Sequence, residues 1–173
     1  MIAIINASPL IYLSKIGIID ILPKLFKRII TTTTVKQEVL QEKTAPEYAI
    51  LVEVFSEWLE IKRPEEKITK KIAELQIHRG EAEVIALGRS FLQKEKTTAV
   101  VIIDDLLARE IATSLGLTVT GTIGVLLKAL EENIMAKKKC QRLVEQLVTA
   151  TTFRLSVKVY AKILREIEKM KKK

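Results

Sequence analysis

The stretch Ala99-Val-Val-Ile-Ile-Asp-Asp105 contains the most apolar strand candidate of the chain, and two adjacent aspartates follow it directly. Other short apolar or β-branched runs recur along the sequence, and longer segments with helical periodicity separate them. This alternation of strands and helices predicts an α/β fold built around a parallel sheet.

Five strands and ten helices are expected from these patterns. The strands are expected at residues 2–5, 28–31, 59–62, 100–103 and 117–120. The helices are expected at residues 8–15, 18–25, 34–41, 47–58, 65–76, 81–93, 106–115, 122–132, 139–148 and 157–170. Ser8 before Pro9 and Thr34 before Val35 are typical of helix N-caps, and Gly116 is typical of a helix end.

Length and composition exclude several classes of protein. A chain of 173 residues with 48% hydrophobic content is typical of one domain. No apolar run approaches the roughly 20 residues that span a bilayer, and the first residues lack the basic start of a secretory signal, so we expect a cytoplasmic protein without a membrane segment. Because Cys140 and His78 are its single cysteine and histidine, any bound metal must be held by oxygen. The usual glycine-rich phosphate loops are also missing, which argues against a nucleotide-dependent enzyme.

Positive charge is concentrated at the C-terminus. Residues 137–173 carry 12 Lys/Arg against 3 Asp/Glu, whereas residues 1–136 carry 17 against 18. We expect an α/β domain over residues 1–136 and a basic helical extension over residues 137–173 that packs on the same domain. The extension could attract a polyanion such as RNA, but a solvated helix face or the Lys/Glu-rich composition of heat-stable proteins explains it equally well.

Polar residues follow the first and fourth predicted strands at the point where each strand ends. Asp104 and Asp105 follow the fourth strand, and Asn6 follows the first. In an open parallel sheet, ligands bind beyond the carboxyl ends of the strands, near the point where the strand order reverses. A divalent cation there would offset the repulsion between the two carboxylates. In the alternative interpretation, Asp104 caps the following helix and Asp105 lies in its first turn.

Further acids lie on helices that approach the same edge of the predicted sheet. Glu38 lies on the helix that follows the second strand, and a solvated helix position is the alternative to a ligand role. Glu81 and Glu83 open the helix that precedes the fourth strand. Because they are two positions apart, at most one of them can face a site at that helix end. The alternative interpretation of Ser8 is a helix cap, and that of Asn6 is a turn-forming residue.

These motifs occur in an order that resembles the PIN-domain superfamily. The segments that carry the resemblance are Asn6-Ala-Ser-Pro-Leu-Ile11, Ile18-Ile-Asp-Ile-Leu-Pro-Lys-Leu-Phe26, Val35-Lys-Gln-Glu38, Gly80-Glu-Ala-Glu83, Ile102-Ile-Asp-Asp105 with Ala108-Arg109, and Val119-Thr-Gly-Thr-Ile-Gly-Val-Leu126. More narrowly, the sequence resembles a prokaryotic branch described as a nucleic-acid-binding domain of unknown function or a PIN-like toxin. The resemblance covers about residues 1 to 150.

The resemblance implies a three-layer α/β/α sandwich with a central, mainly parallel five-stranded sheet, and it implies a Mg²⁺- or Mn²⁺-dependent ribonuclease. Carried over by position, the metal ligands are Asn6, Glu38, Glu81, Asp104 and Asp105, the four acids are also the catalytic residues, and Ser8 and Arg109 contact the substrate. Hard divalent cations prefer such oxygen ligands, and Mg²⁺ keeps several waters, which leaves room for a phosphate oxygen. An ion pair of Arg109 with Asp105 or Glu110 on its own helix is the alternative.

The function implied by the resemblance is an endoribonuclease of single-stranded RNA that is the toxin of a toxin-antitoxin pair, with a small antitoxin protein as partner and a homodimer as assembly. Asn6 departs from the family pattern, in which an aspartate usually stands at this position. Because an amide brings no negative charge, weaker metal binding is expected, and a degenerate domain that binds RNA or a protein without cleavage is the main alternative. A third interpretation is a small anionic ligand at the helix N-terminus near Gly121-Thr-Ile-Gly124.

Overall fold

Five parallel strands form the central sheet of the protein. The computed structural model describes residues 1–94 and 99–170. The strands are β1 (Ile2–Ile5), β2 (Arg28–Thr31), β3 (Leu59–Ile61), β4 (Ala99–Ile102) and β5 (Thr118–Thr120), and their order in the sheet is β3-β2-β1-β4-β5. All five predicted strands are present, and each boundary lies within one residue of the predicted one.

The described residues also form ten α-helices, which complete a three-layer α/β/α arrangement. They are α1 (Ala7–Lys15), α2 (Leu22–Leu25), α3 (Thr33–Val39), α4 (Tyr48–Glu57), α5 (Glu66–Ala73), α6 (Arg79–Lys94), α7 (Leu106–Ser114), α8 (Thr122–Glu131), α9 (Lys137–Ala150) and α10 (Val157–Lys169). The helix predicted over residues 18–25 is divided into a 3-10 turn, Ile19–Ile21, and α2, because Pro23 interrupts the helical hydrogen bonds. Within residues 1–94 and 99–170, no helix has the length and apolar character needed to cross a membrane.

The strand order reverses between β1 and β4. The chain runs from β1 to β2 and β3 on one side of the sheet and then continues with β4 and β5 on the other side. Ile4 of β1 lies beside Ile30 of β2 and beside Val101 of β4. Both β1 and β4 are buried along their whole length, which explains their continuous apolar sequences. Their carboxyl ends therefore meet at the switch point, where open α/β sheets bind ligands.

Helices α9 and α10 pack on the same hydrophobic core as the rest of the chain. Val144 and Leu147 of α9 and Ile163 and Ile167 of α10 are buried in it. Burial raises the pKa of the Cys140 thiol to about 11, so this side chain of α9 behaves as a small apolar group. The apolar faces of both helices thus hold the basic C-terminal segment against the core. The division of the chain into a domain and an extension between residues 136 and 137 stays a prediction.

Two predicted helix caps are wrong, and one predicted helix end is confirmed. Helix α1 begins directly after β1 with Asn6 as its N-cap residue, so Ser8 lies inside the helix. The cap of α3 is Thr32 rather than Thr34, and its hydroxyl accepts a backbone N–H of the first turn at 3.4 Å. Because consecutive threonines precede α3, their pattern does not distinguish the capping one. Gly116 ends α7 as predicted, with a positive φ of 79° that glycine adopts without strain.

Candidate functional site

The candidate site begins where β1 and β4 end. The backbone N–H of Asn6 donates to the carbonyl of Ile102 at 3.0 Å, so the contact between the two strands continues beyond β1. In the same way, the N–H of Ile103 donates to the carbonyl of Thr120 at 2.9 Å. These backbone hydrogen bonds hold Asn6 and Asp104 at one edge of the sheet.

The side chain of Asn6 presents a buried oxygen without a partner. Asn6 is 5% exposed, and its Oδ1 has no hydrogen-bond partner among the residues that the structure describes. A buried polar atom that stays unsatisfied costs about 1–3 kcal/mol. Asn6 Oδ1 is therefore suited to accept a hydrogen bond from water or to bind a cation.

Glu38 reaches the same place from α3. A Cβ atom added to Gly80, in the first turn of α6, would lie 3.3 Å from Glu38 Oε2 and 3.6 Å from Asn6 Oδ1. Both oxygens therefore converge on the backbone of Gly80, where no side chain separates them. Although Glu38 is exposed as a residue, its carboxylate is directed at the buried end of β1.

Glu81 opens α6 next to Gly80. Its Oε2 accepts the backbone N–H of His78 at 3.0 Å, which satisfies a donor ahead of the first helical turn. Burial raises the pKa of Glu81 and outweighs this hydrogen bond, and the negative charges of Asp105 and Glu38 raise the pKa further. The carboxylates of Glu38 on α3 and of Asp105 before α7 are thus close enough to oppose the ionisation of Glu81.

Glu83 faces away from this group, in agreement with the expectation that only one of the two glutamates can face the site. Its Oε1 accepts the hydroxyl of Thr34 at 2.8 Å and Nε of Arg79 at 3.0 Å. Because Thr34 belongs to α3 and Glu83 to α6, this contact ties together the two helices that carry Glu38 and Glu81.

Asp104 is engaged by a helix that begins 18 positions later in the chain. Its Oδ1 accepts the backbone N–H of Thr122 at 2.7 Å, and its Oδ2 accepts the Thr122 hydroxyl at 2.6 Å. Burial raises the pKa of Asp104, and the hydrogen bonds of Thr122 and the charge of Arg109 oppose this shift. The carboxylate of Asp104 therefore occupies the N-terminus of α8. The third interpretation of the sequence had placed a small anionic ligand at this position.

The cap of α7 is Asp105, so the alternative interpretation in which Asp104 caps this helix is wrong. Asp105 Oδ1 accepts the backbone N–H of Ala108 at 2.8 Å. The backbone N–H of Ile103 is still paired with β5, and the helix begins at Leu106, so Asp105 is the residue in the capping position. Asp105 uses one carboxylate oxygen for the cap, and the residue is exposed.

A cavity of about 610 Å³ opens from these acids. The predicted site residues that line it are Ser8, Glu81, Asp104, Asp105 and Arg109, whereas Asn6 and Glu38 are not part of its lining. Among the described residues, Arg109 makes no salt bridge, so the expected ion pair with Asp105 or Glu110 is wrong. Its charge acts on Asp104 instead.

The carboxylate and amide oxygens at this edge of the sheet are ligands of the kind that a divalent cation prefers. Within the described ranges, no three His, Cys, Asp or Glu side chains are grouped so that they could hold a metal ion. The set nevertheless fits Mg²⁺ by its chemistry, because this ion is usually held by one or two carboxylates and keeps several waters. The residues that could hold it are Asn6, through its unpartnered Oδ1, and the acids Glu38, Glu81, Asp104 and Asp105.

Sequence reasoning missed four residues of the site. Gly80 belongs to the Gly80-Glu-Ala-Glu83 motif, but the motif does not indicate its role. Because Gly80 has no side chain, the oxygens of Asn6 and Glu38 can both lie close to its backbone. Thr122 lies in the Gly121-Thr-Ile-Gly124 segment and could have been found as a partner for a buried carboxylate. Arg154 and Lys162 of the C-terminal segment also line the cavity, and no motif marks them.

Comparison with known proteins extends the resemblance along the chain. A family model described as a PIN domain matches residues 2–169. The match includes α9 and α10, whereas the resemblance seen in the sequence covers only about residues 1 to 150. No curated protein matches the sequence.

The raised pKa of Glu81 leads to a prediction about stability. Below the usual pKa of glutamate the side chain is neutral in both the folded and the unfolded state, and as the pH rises through the higher folded pKa its ionisation reduces the free energy of unfolding. Glu81→Gln removes this charge and should raise the free energy of unfolding of the metal-free protein at neutral pH. Urea denaturation in EDTA at neutral pH and near pH 4 measures the gain, which should vanish at the lower pH.

Glu53→Gln is the matched control, because Glu53 is exposed on α4. This change should alter the free energy of unfolding by no more than about 0.5 kcal/mol at either pH. A Glu81→Gln protein that is no more stable than the unmodified chain at neutral pH would contradict the described environment of Glu81.

Proposed function

Because the chain belongs to the PIN-domain family, we propose that it is a divalent-metal-dependent endoribonuclease that hydrolyses phosphodiester bonds of single-stranded RNA. The PIN fold is of the nuclease type, and PIN domains generally use divalent metals and commonly bind nucleic acids. The observation that carries the proposal is that the unpartnered Asn6 Oδ1 and the Glu38 carboxylate both lie close to Gly80. The next residue is Glu81, whose pKa is raised by burial and by the charges of Asp105 and Glu38.

In the proposed site, Asn6, Glu38, Glu81, Asp104 and Asp105 would hold Mg²⁺ or Mn²⁺. Such an ion supplies positive charge for the phosphate and lowers the pKa of an attacking water. Asp104 remains a proposed ligand through oxygen lone pairs that Thr122 does not use. The hydrogen bonds between Asp104 and Thr122 also hold the start of α8 at the end of β4.

The proposed reaction adds water to the phosphorus atom of a phosphodiester. A bond forms between the water oxygen and phosphorus, the bond from phosphorus to one ester oxygen breaks, and the leaving oxygen takes up a proton while the water loses one. We assign the acceptance of the water proton to Glu81, because its carboxylate lines the cavity together with Asp104 and Asp105. Ser8 and Arg109, which line the cavity, are assigned to the substrate phosphate.

The biological setting of the proposal follows from family resemblance alone. A PIN-like ribonuclease of this kind would act in the cytoplasm as the toxin of a toxin-antitoxin pair. Its small antitoxin partner would cover the acidic site, and the protein would form a homodimer.

Asn6 favours a second candidate function, a PIN domain that binds RNA or a protein without cleaving it. An amide supplies an oxygen ligand but no negative charge, and no three carboxyl, imidazole or thiol groups of the described residues are grouped to hold an ion. Both features lower the expected metal affinity. Cleavage of RNA distinguishes the two candidates.

We expect the protein to cleave single-stranded RNA in the presence of Mn²⁺ and to be inactive in EDTA. Asp105→Asn and Glu38→Gln should each lower the cleavage rate by about 10²-fold or more, because each removes a charged group from the proposed site. The measurement is the rate of cleavage of an end-labelled RNA at saturating Mn²⁺.

Asp20→Asn and Glu53→Gln are matched controls, since both residues are exposed and lie on other elements, the 3-10 turn and α4. Their cleavage rates should equal that of the unmodified protein. Full activity of Asp105→Asn and Glu38→Gln would refute the site, and inactivity of the folded protein with Mn²⁺ would establish the non-cleaving alternative.

Asn6→Asp should strengthen metal binding. The substitution replaces a neutral ligand by a charged one at a buried position, and ligand charge is a main determinant of cation affinity. We expect the Kd for Mn²⁺, measured by calorimetry, to fall by about tenfold or more. Asn133→Asp, at the exposed residue after α8, adds the same charge away from the site and should leave the Kd unchanged. An equal Kd for Asn6→Asp and the unmodified protein would count against the proposed role of Asn6.

A further inference from the structure

The C-terminal segment supplies part of the lining of the cavity that opens from the acids. The segment between α9 and α10 and one face of α10 take part in this lining, and their charged members are Arg154, Lys162 and Glu166. The acids Glu81 and Asp105 line the same cavity from α6 and from the start of α7. Residues of the predicted basic extension thus share a cavity with candidate metal ligands.

Three cations of this cavity have no ion-pair partner. Arg109, Arg154 and Lys162 are all exposed, and among the residues described by the structure none of them forms a salt bridge. Glu166 lies one helical turn after Lys162 and lines the same cavity, yet the two are not paired. The side chains of Arg154 and Lys162 are therefore available to an anion from outside the chain, whereas the charge of Arg109 acts on Asp104.

Arg154 is positioned by the backbone around it. Its Nη1 donates to the carbonyl of Thr151 at 3.1 Å and to the carbonyl of Phe153 at 3.2 Å. These contacts use one guanidinium nitrogen and leave Nε and Nη2 for a ligand. A guanidinium that is already held in place loses less entropy on binding, and its parallel N–H groups match the oxygens of a phosphate.

Apolar and aromatic side chains lie in the same cavity as these cations. Tyr12, Ile123 and Leu127 contribute to the lining, and the ring of Tyr12 packs edge to face on Phe153 at 5.0 Å. A single-stranded nucleic acid combines a phosphate backbone with bases that pack on such surfaces. An acidic peptide would use the cations but leave the apolar lining without a partner. The composition of the cavity therefore favours a nucleic acid strand.

We propose that Arg154 and Lys162 bind backbone phosphates of single-stranded RNA beside the phosphodiester that lies at the acidic site. The inference rests on the proposed function, because it takes RNA as the ligand of that site. Arg154 and Lys162 differ in this respect from Lys158 and Arg165, which are exposed on α10 but do not line the cavity.

The test is the binding of fluorescein-labelled oligouridylate, measured by fluorescence anisotropy in EDTA over a series of KCl concentrations. EDTA prevents metal-dependent cleavage, so binding alone is measured. We expect Arg154→Ala combined with Lys162→Ala to raise the Kd by about tenfold or more. The slope of log K against log salt should fall by about 1.4, because each phosphate contact of a single strand contributes about 0.7.

The matched control is Lys158→Ala combined with Arg165→Ala, which removes the same charge from α10 and should leave the slope nearly unchanged. Because Arg154 also contacts the backbone, Lys162→Ala alone provides a variant that keeps those contacts, and it should lower the slope by about 0.7. Equal losses in the two double variants would show that only net charge matters and would overturn the inference. Absence of oligouridylate binding by the unmodified protein, or equally tight binding of oligoglutamate, would overturn it as well.

Cleavage of the same RNA with Mn²⁺ separates this inference from the proposed function. A protein that binds oligouridylate through Arg154 and Lys162 but never cleaves RNA refutes the nuclease and supports the phosphate contacts. A protein that cleaves RNA but whose binding is insensitive to both residues supports the nuclease and refutes the contacts.

Discussion

The site depends on the burial of polar groups at the ends of two adjacent strands. Because β1 and β4 are buried, the chain that leaves them holds Asn6 and Asp104 largely out of water at one edge of the sheet. Asp104 is compensated by Thr122, which donates both its backbone N–H and its hydroxyl. Asn6 Oδ1 has no such donor among the described residues. The fold thus leaves one buried polar group to be satisfied by a ligand or by water.

The acids around Asn6 also have an energetic cost for the fold. Glu81 is buried near Glu38 and Asp105, and its raised pKa means that its ionised form is less favourable in the folded chain than in the unfolded one. Proteins commonly accept such destabilised groups where function requires them. The contact of Glu83 with Thr34 and the caps of α6 and α7 hold the acids in place despite this repulsion.

The sheet and the position of Asn6 and Asp104 at one of its edges could be predicted because both follow from local patterns and one topological rule. Continuous apolar runs mark buried parallel strands, and polar residues after two of them meet at the switch point. The partner of Asp104 could not be predicted in this way, because β5 and the start of α8 bring Thr122 to it from 18 positions away. Arg154 and Lys162 were missed for a similar reason: the packing of α10 on the core, rather than a motif, brings them to the cavity.

In the proposed site, Asn6 and acids from three separate segments of the chain bind one divalent cation. Crystals of the protein soaked in Mn²⁺ and measured at a wavelength where manganese scatters anomalously test it most directly. We expect an anomalous peak within coordination distance of Asn6 Oδ1 and of at least one carboxylate among Glu38, Glu81 and Asp105. Manganese bound only elsewhere on the protein, or no peak at this edge of the sheet, would contradict it.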